Sequence, residues 1–161
     1  MTLLDLEGGR LVEAGRIELP GRKGKDFPAP GPLVALQRDG SGLLIGAPHH
    51  DCVLAVPEDA CGVAHLFVRQ GRDWVEQVRF PRPEGASPTD RFAQAVALSG
   101  DGRVALVGGP GSYGRAGRLW AYERATDGGW DLVADLASPD PADLEFANDL
   151  ALSDDGRVVA V

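Results

Sequence analysis

The chain has 161 residues, 43% of them hydrophobic, with 22 glycines and 12 prolines. That is enough apolar material for one modest core and too much for a disordered segment, and the glycine and proline load suits tight turns rather than long helices. The formal net charge is −8, with no basic stripe, which speaks against nucleic acid and anionic membranes as partners; no apolar run nears the roughly 20 residues needed for membrane insertion as a helix.

The opening MTLLDLEGGRLVEAG has no basic region, and Asp5 and Glu7 interrupt its apolar stretch, so it does not read as a secretory signal. A cytoplasmic location follows if Met1 is the true start. An extracellular or envelope-associated location follows if a leader precedes this sequence. Residues 10–20 read as one trailing outer strand, with Ile17 set against Val78 and Leu19-Pro20 against Phe80-Pro81. Residues 21–31 read as a linking loop.

A repeat then takes over. Asp-Gly pairs at Asp39-Gly40, Asp101-Gly102 and Asp155-Gly156 each lie between two apolar runs of strand length. This predicts three hairpins, with Gly taking the positive φ such turns need and Asp tolerating it. A second half follows the first two hairpins. Gly62–Arg69 matches Gly117–Arg124, and Trp74–Phe80 matches Trp130–Leu136. The expected strands are 32–37, 43–47, 62–69 and 73–79 in the first unit, and 92–99, 103–108, 117–124 and 130–136 in the second. Residues 146–161 supply the first two strands of a third unit. The array therefore comprises the trailing strand 10–20, complete units at 32–80 and 92–136, and the partial unit 146–161.

A four-stranded antiparallel sheet alone leaves faces uncovered and edges open. Radial stacking around an axis buries both faces, so the expected class is all-β, a partial β-propeller of four-stranded antiparallel blades. The second and third strands, with Leu43-Leu44-Ile45 and Val104–Val107, should be the driest. Phe67, Trp74, Trp120, Tyr122 and Trp130 recur at matched positions, which favours packing between units over a carbohydrate platform. Phe92-Ala93 and Phe146-Ala147 should begin units as core wedges.

The run Asp90–Arg103, followed by Val107-Gly108-Gly109-Pro110 and Gly117–Glu123, resembles the FG-GAP repeat family. Gly46-Ala47-Pro48 fits that family's second motif, while Ala93 and Ala147 stand where its Phe-Gly pair has glycine. The resemblance covers about residues 32–161. It implies an integrin-alpha-like β-propeller, usually of seven blades. Some such repeats bind calcium through alternating Asp or Asn residues. The nearest loops here, Ser138–Asp143 and Glu84–Asp90, carry prolines and too few carboxylates for the six to eight oxygens calcium takes.

The most distinctive loop runs from Pro48 to Gly62, longer than its counterpart from Pro110 to Gly117, and holds both cysteines. Cys52 and Cys61 are candidates for a disulfide staple, and His49, His50 and Asp51 for a recognition surface. His49, His50, Asp51, Cys52, Cys61 and His65 are zinc-type ligands at a spacing that fits no zinc pattern, and a Cys-His nucleophile lacks an orienting third group. Asp155 of the Asp154-Asp155 pair matches the turn residues Asp39 and Asp101 rather than an acid–base dyad. No cofactor is expected.

The reading that follows is a non-catalytic module that binds a protein or glycan, or gives structural support within a larger protein. Two alternatives stand beside it: an enzyme whose site other blades complete, and a purely structural repeat segment. Open sheet edges also predict self-association.

Overall fold

The computed structural model describes residues 1–17, 19, 33–48, 62–87, 90–111 and 114–161. Within these, strands β1 (Thr2–Glu7) and β2 (Arg10–Arg16) form an antiparallel hairpin. Strands β3 (Leu33–Leu36), β4 (Gly42–Ala47), β5 (Val63–Gln70) and β6 (Asp73–Pro81) form a four-stranded antiparallel sheet in chain order. A second such sheet comprises β7 (Ala95–Leu98), β8 (Val104–Gly109), β9 (Arg118–Arg124) and β10 (Trp130–Ala137). The short strands β11 (Ala151–Leu152) and β12 (Val159–Ala160) form a last hairpin. The fold is thus all-β, built from antiparallel sheets. Among the described residues no helix is long and apolar enough to cross a membrane.

Strand β1 went unanticipated, because Asp5 and Glu7 broke the apolar pattern. Its partner β2 is consequently half of a hairpin rather than a lone strand. A repeated irregularity identifies that hairpin. The β5–β6 register shifts between Leu66 and Phe67, the β9–β10 register between Leu132 and Ala134, and the β1–β2 register between Leu3 and Leu4. In each case the extra residue (Gln77, Val133 or Ala14) lies at the same point after the turn, as a β-bulge that coils the strand pair. Hence β1–β2 corresponds to the outer half of a unit, β5–β6 or β9–β10. The same register corrects the alignment of the first strand. Leu3 pairs with Gly15 as Leu66 pairs with Val78, so Ile17 occupies the place of Phe80, not that of Val78. Both are buried, at 3% exposure. Ile17 and Met1 extend the ladder by exchanging backbone hydrogen bonds of 2.9 and 2.7 Å.

The sheets pack face to face in chain order, each interface holding its own apolar cluster. Leu43, Ile45 and Phe67 meet Ile17 and Leu3 of the first hairpin. Leu44, Leu66 and Phe80 meet Phe92, Val96, Trp120 and Tyr122 of the second sheet. Leu106 and Leu119 meet Phe146, Ala147, Leu150 and Leu152 of the last hairpin. Alternation of side chains sends Leu43 and Ile45 one way and Leu44 the other, so β4 is buried on both faces. The strands β5, β7 and β8 are almost as dry, whereas β6 and β10 are mostly exposed.

One contact locks successive sheets together, and it occurs twice. Phe92 is fully buried edge-on against Trp120, with ring centroids 5.0 Å apart. The carbonyls of Phe92 and Ala93 press on Gly62 and Gly46 of the preceding sheet. The carbonyls of Phe146 and Ala147 press in the same way on Gly117 and Gly108. A methyl on Gly117 would lie 2.9 Å from the Phe146 carbonyl carbon and closer still to its oxygen, so these glycines exist for close approach. Ala93 and Ala147 adopt left-handed φ values of 68° and 61°.

Candidate functional site

The Asp-Gly turns are built by side-chain hydrogen bonds more than by the conformation expected of Asp. The positive φ belongs to Gly40, Gly102 and Gly156, and none of the three Asp residues shares it. Each Asp instead accepts the backbone N–H two residues on: Asp39 from Ser41 at 2.9 Å, Asp101 from Arg103 at 3.0 Å, Asp155 from Arg157 at 3.1 Å. This is the Asx-turn geometry. Ser99 reinforces the second turn. Its hydroxyl donates to Asp101 at 2.6 Å and accepts from the N–H groups of Arg103 and Val104 at 3.0 and 2.9 Å. Ser153 repeats the pattern. The first unit has Gln37 in that position, and Ser41 supplies the hydroxyl from the other side, donating to Asp39 at 2.6 Å. In all three, a hydrogen bond from the serine hydroxyl, with the backbone N–H bonds second, holds the carboxyl below its ordinary pKa.

These turns converge. Arg38, in the first turn, forms an ion pair with Asp154 in the third, passing over the second. The second turn carries glycine where its neighbours carry those charges. A methyl on Gly100 would sit 2.5 Å from Asp154 Oδ1, so the glycine makes room for the pair. Asp101 N–H also reaches the Asp154 carbonyl at 3.3 Å, and Gln37 lies against Gly102. Strand β7 packs against both β3 and β11, so the first strands of three units lie side by side.

Beside this cluster lies an open concavity of about 440 Å³, lined by Asp101, Arg103, Arg124, Ala125, Thr126 and Gly128. Arg124 N–H bonds the Arg103 carbonyl at 2.8 Å, which fixes the two backbones together. Neither guanidinium forms an ion pair among the described residues. The Asp101 carboxylate, held in its charged form by Ser99 and by the Arg103 N–H, shares this lining with the two arginines, so the concavity pairs guanidinium donors with one acidic neighbour.

His65 is fully buried at the position equivalent to Trp120, and its Nδ1 lies 2.6 Å from Glu76 Oε1. Burial pushes the Glu76 carboxyl up, but the hydrogen bonds with His65 and Arg79 outweigh it and the net shift is downward. Glu76 also bonds Arg79 at 3.3 Å, so His65 and Glu76 act as a cross-strand packing pair. The candidate disulfide Cys52–Cys61 and the candidate recognition residues His49, His50 and Asp51 lie outside the described residues. Their anchors, Pro48 and Gly62, flank the end of the sheet opposite the Asp-Gly turns. Among the described residues no three His, Cys, Asp or Glu side chains gather in a way that would hold a metal ion. Asp155 serves its turn, and Asp154 the ion pair with Arg38.

Sequence reasoning found the turns but missed their meeting point. The available signal was the residue before each turn Asp, which runs Arg38, Gly100, Asp154: opposite charges on either side of a glycine. No protein-family model matches the chain, and no curated protein matches it.

Proposed function

We propose that the chain is a segment of a β-propeller made of FG-GAP-like blades, acting as a non-catalytic module that engages an acidic group of a protein or glycan partner. The observation that carries this reading is the Arg38–Asp154 ion pair. Sheets stack about 10 Å apart, so in a flat stack the first and third units would be separated by about 20 Å. An ion pair between their turns requires the inner edges to converge, as they do around an axis. The turn end is then where the blades present charge together, and the Arg103–Arg124 concavity opens beside it. The sheet faces that meet between units are taken up by packing, which leaves turns and loops for recognition.

Titration calorimetry at low salt with three probes, heparin, hyaluronan and polyglutamate, tests the reading. At least one should bind, with affinity that falls as salt rises, and Arg103→Ala/Arg124→Ala should weaken it about tenfold or more. No binding by any probe, or binding unaffected by the double substitution, would refute the assignment of this surface.

A further inference from the structure

Four Asp-Gly pairs occur in the chain, and three of them build the turns described above. The fourth, Asp127-Gly128, lies between β9 and β10 in the run Ala125-Thr126-Asp127-Gly128-Gly129. We infer that Asp127-Gly128 is a site of covalent self-modification, where the backbone is rerouted through the aspartate side chain to give isoaspartate, and that a serine hydroxyl guards the other three pairs from the same reaction. The reaction is independent of the function proposed above.

The chemistry needs only the chain and water. The Gly128 backbone nitrogen attacks Cγ of the neutral Asp127 carboxyl. An N–Cγ bond forms, a Cγ–O bond breaks, and the nitrogen's proton leaves with the hydroxyl as water. The five-membered imide then adds water at one of its two carbonyls. Opening at Cγ restores aspartate. Opening at the main-chain carbonyl breaks the original peptide bond, leaves the chain running through Cβ and Cγ, and frees an α-carboxylate. Nothing is oxidised or reduced. Glycine after the aspartate favours the attack because no Cβ shields its nitrogen.

Three local features separate the fourth turn from the others. The first is the hydroxyl. Asp39 accepts from the Ser41 hydroxyl, Asp101 from Ser99 and Asp155 from Ser153, at 2.6, 2.6 and 2.7 Å. Those bonds hold each carboxylate charged and fixed, whereas ring closure needs the carboxyl neutral and free to turn. Asp127 accepts one hydrogen bond among the described residues, from the Gly129 N–H at 2.8 Å. Ala125 stands where Ser99 and Ser153 stand, two residues before the Asp, and has no hydroxyl to give. The second feature is the nucleophile. Each glycine N–H bonds the carbonyl three residues back, at 2.9 Å for Gly40, Gly102 and Gly156 and at 3.1 Å for Gly128. The third is room. Gly102 is buried with Gln37 against it, a methyl on Gly156 would meet Val104, and Arg38 ties the first turn to Asp154. Thr126, Asp127, Gly128 and Gly129 are all exposed, and a Cβ added at Gly128 would meet nothing within 4 Å. That turn can open without disturbing a neighbouring unit. Thr126 and Gly128 also line the Arg103–Arg124 concavity, so an extra backbone carbon between them reshapes its rim.

Incubation of the folded 161-residue chain in mildly acidic buffer, followed by digestion and peptide mapping, follows the reaction directly. Isoaspartyl and aspartyl peptides have equal mass and separate by chromatography, and electron-transfer fragmentation assigns the residue. Cleavage after arginine leaves Asp127 and Asp155 on one peptide, Ala125–Arg157, so the two are compared within one molecule. Isoaspartate should form about fivefold or more faster at Asp127 than at Asp39, Asp101 or Asp155, the factor that one hydrogen bond supplies. In urea, where the turns are gone, the four rates should come together. Ser153→Ala should raise the rate at Asp155 about fivefold, and Ala125→Ser should lower it at Asp127 by a similar factor. An Asp127 that reacts only in urea, or no faster than the other three when folded, would overturn its assignment. A ranking that persists in urea would place the difference in the local sequence and overturn the role of the turn. Rates indifferent to Ser153→Ala and Ala125→Ser would overturn the guarding role of the hydroxyl.

Discussion

Replacing Gly117 with alanine isolates the contact that docks one unit on the next. Its backbone does not need a left-handed φ, so the whole effect is steric. The added methyl would lie 2.9 Å from the carbonyl carbon and 3.1 Å from Cβ of Phe146, with the carbonyl oxygen nearer still. Those are backbone or near-backbone atoms that cannot rotate away. Overpacking of this kind costs about 1–3 kcal/mol. Gly71 is the opposite control: its φ is +67° and nothing lies within 4 Å of an added Cβ, so Gly71→Ala costs only the handedness penalty of about 1–2 kcal/mol. Gly62 combines both problems, with φ +60° and the Phe92 carbonyl carbon 2.9 Å away, and Gly62→Ala should cost about 2–5 kcal/mol. Urea unfolding gives the totals, and amide hydrogen exchange gives their location. Gly117→Ala should selectively lower protection at Ala151, Ser153 and Ala160, the amides bonded within the last hairpin, because Phe146, Ala147 and Leu150 lose their seat. Gly71→Ala should leave those amides unchanged. If Gly117→Ala leaves their protection intact and costs no more than a few tenths of a kcal/mol, the carbonyl-on-glycine contact does not hold the units together.

Three further outcomes follow from the turns and the core. Tyr122 is buried with a hydroxyl that has no hydrogen-bond partner among the described residues, and burial first, then Asp135, pushes its pKa well up. Tyr122→Phe should therefore raise stability by about 1 kcal/mol in urea melts, and a loss of that size would mean the hydroxyl has a partner. Ser99→Ala should cost about 1–3 kcal/mol, since fully buried Ser99 satisfies two N–H groups, while the same change at half-buried Ser153 should cost less; equal losses would contradict the burial argument. Asp39, Asp101 and Asp155 have folded pKa values below their unfolded ones, so their contribution is present above about pH 4 and is lost as pH falls through the folded values. Acid unfolding followed by fluorescence should be shallower in Asp101→Asn than in the parent, and identical slopes would remove Asp101 from the linkage.

The strand pairs around Asp39-Gly40 and Asp101-Gly102 were legible because two apolar runs flank a turn signal, a local pattern. The strand at Thr2–Glu7 was not, because Asp5 looks like an interruption until its partner is known. Asp5 faces Arg69 of the next sheet, accepting two guanidinium bonds of 3.1 and 2.5 Å that hold its carboxyl below the ordinary range. Ion pairs between distant positions leave no periodicity. Arg38 and Asp154 were hidden for the same reason: nothing local in either turn shows that they meet. The Ile17 alignment failed by two residues because a strand's period of two matches equally well when slipped by two, and only the bulge shared by Ala14 and Gln77 fixes the register.

The Phe-Ala pairs show which glycines the contact requires. Ala93 and Ala147 hold left-handed φ values at which glycine would be unstrained, at a cost of about 1–2 kcal/mol each. Both are almost fully buried, at 0% and 1% exposure, so each methyl recovers about 0.8 kcal/mol by burial. Alanine also avoids the extra entropy glycine loses on folding, about 0.5–1 kcal/mol. The terms nearly cancel. Ala93→Gly and Ala147→Gly should therefore shift stability by less than about 1 kcal/mol in either direction. The facing glycines have no such compensation: at Gly108 an added methyl would meet the Ala147 carbonyl and sit 3.1 Å from Ala95 Cβ. The contact demands glycine on the strand that receives the carbonyl, and tolerates alanine on the turn that delivers it. Urea melts that showed Ala147→Gly to be more damaging than Gly108→Ala would reverse that assignment.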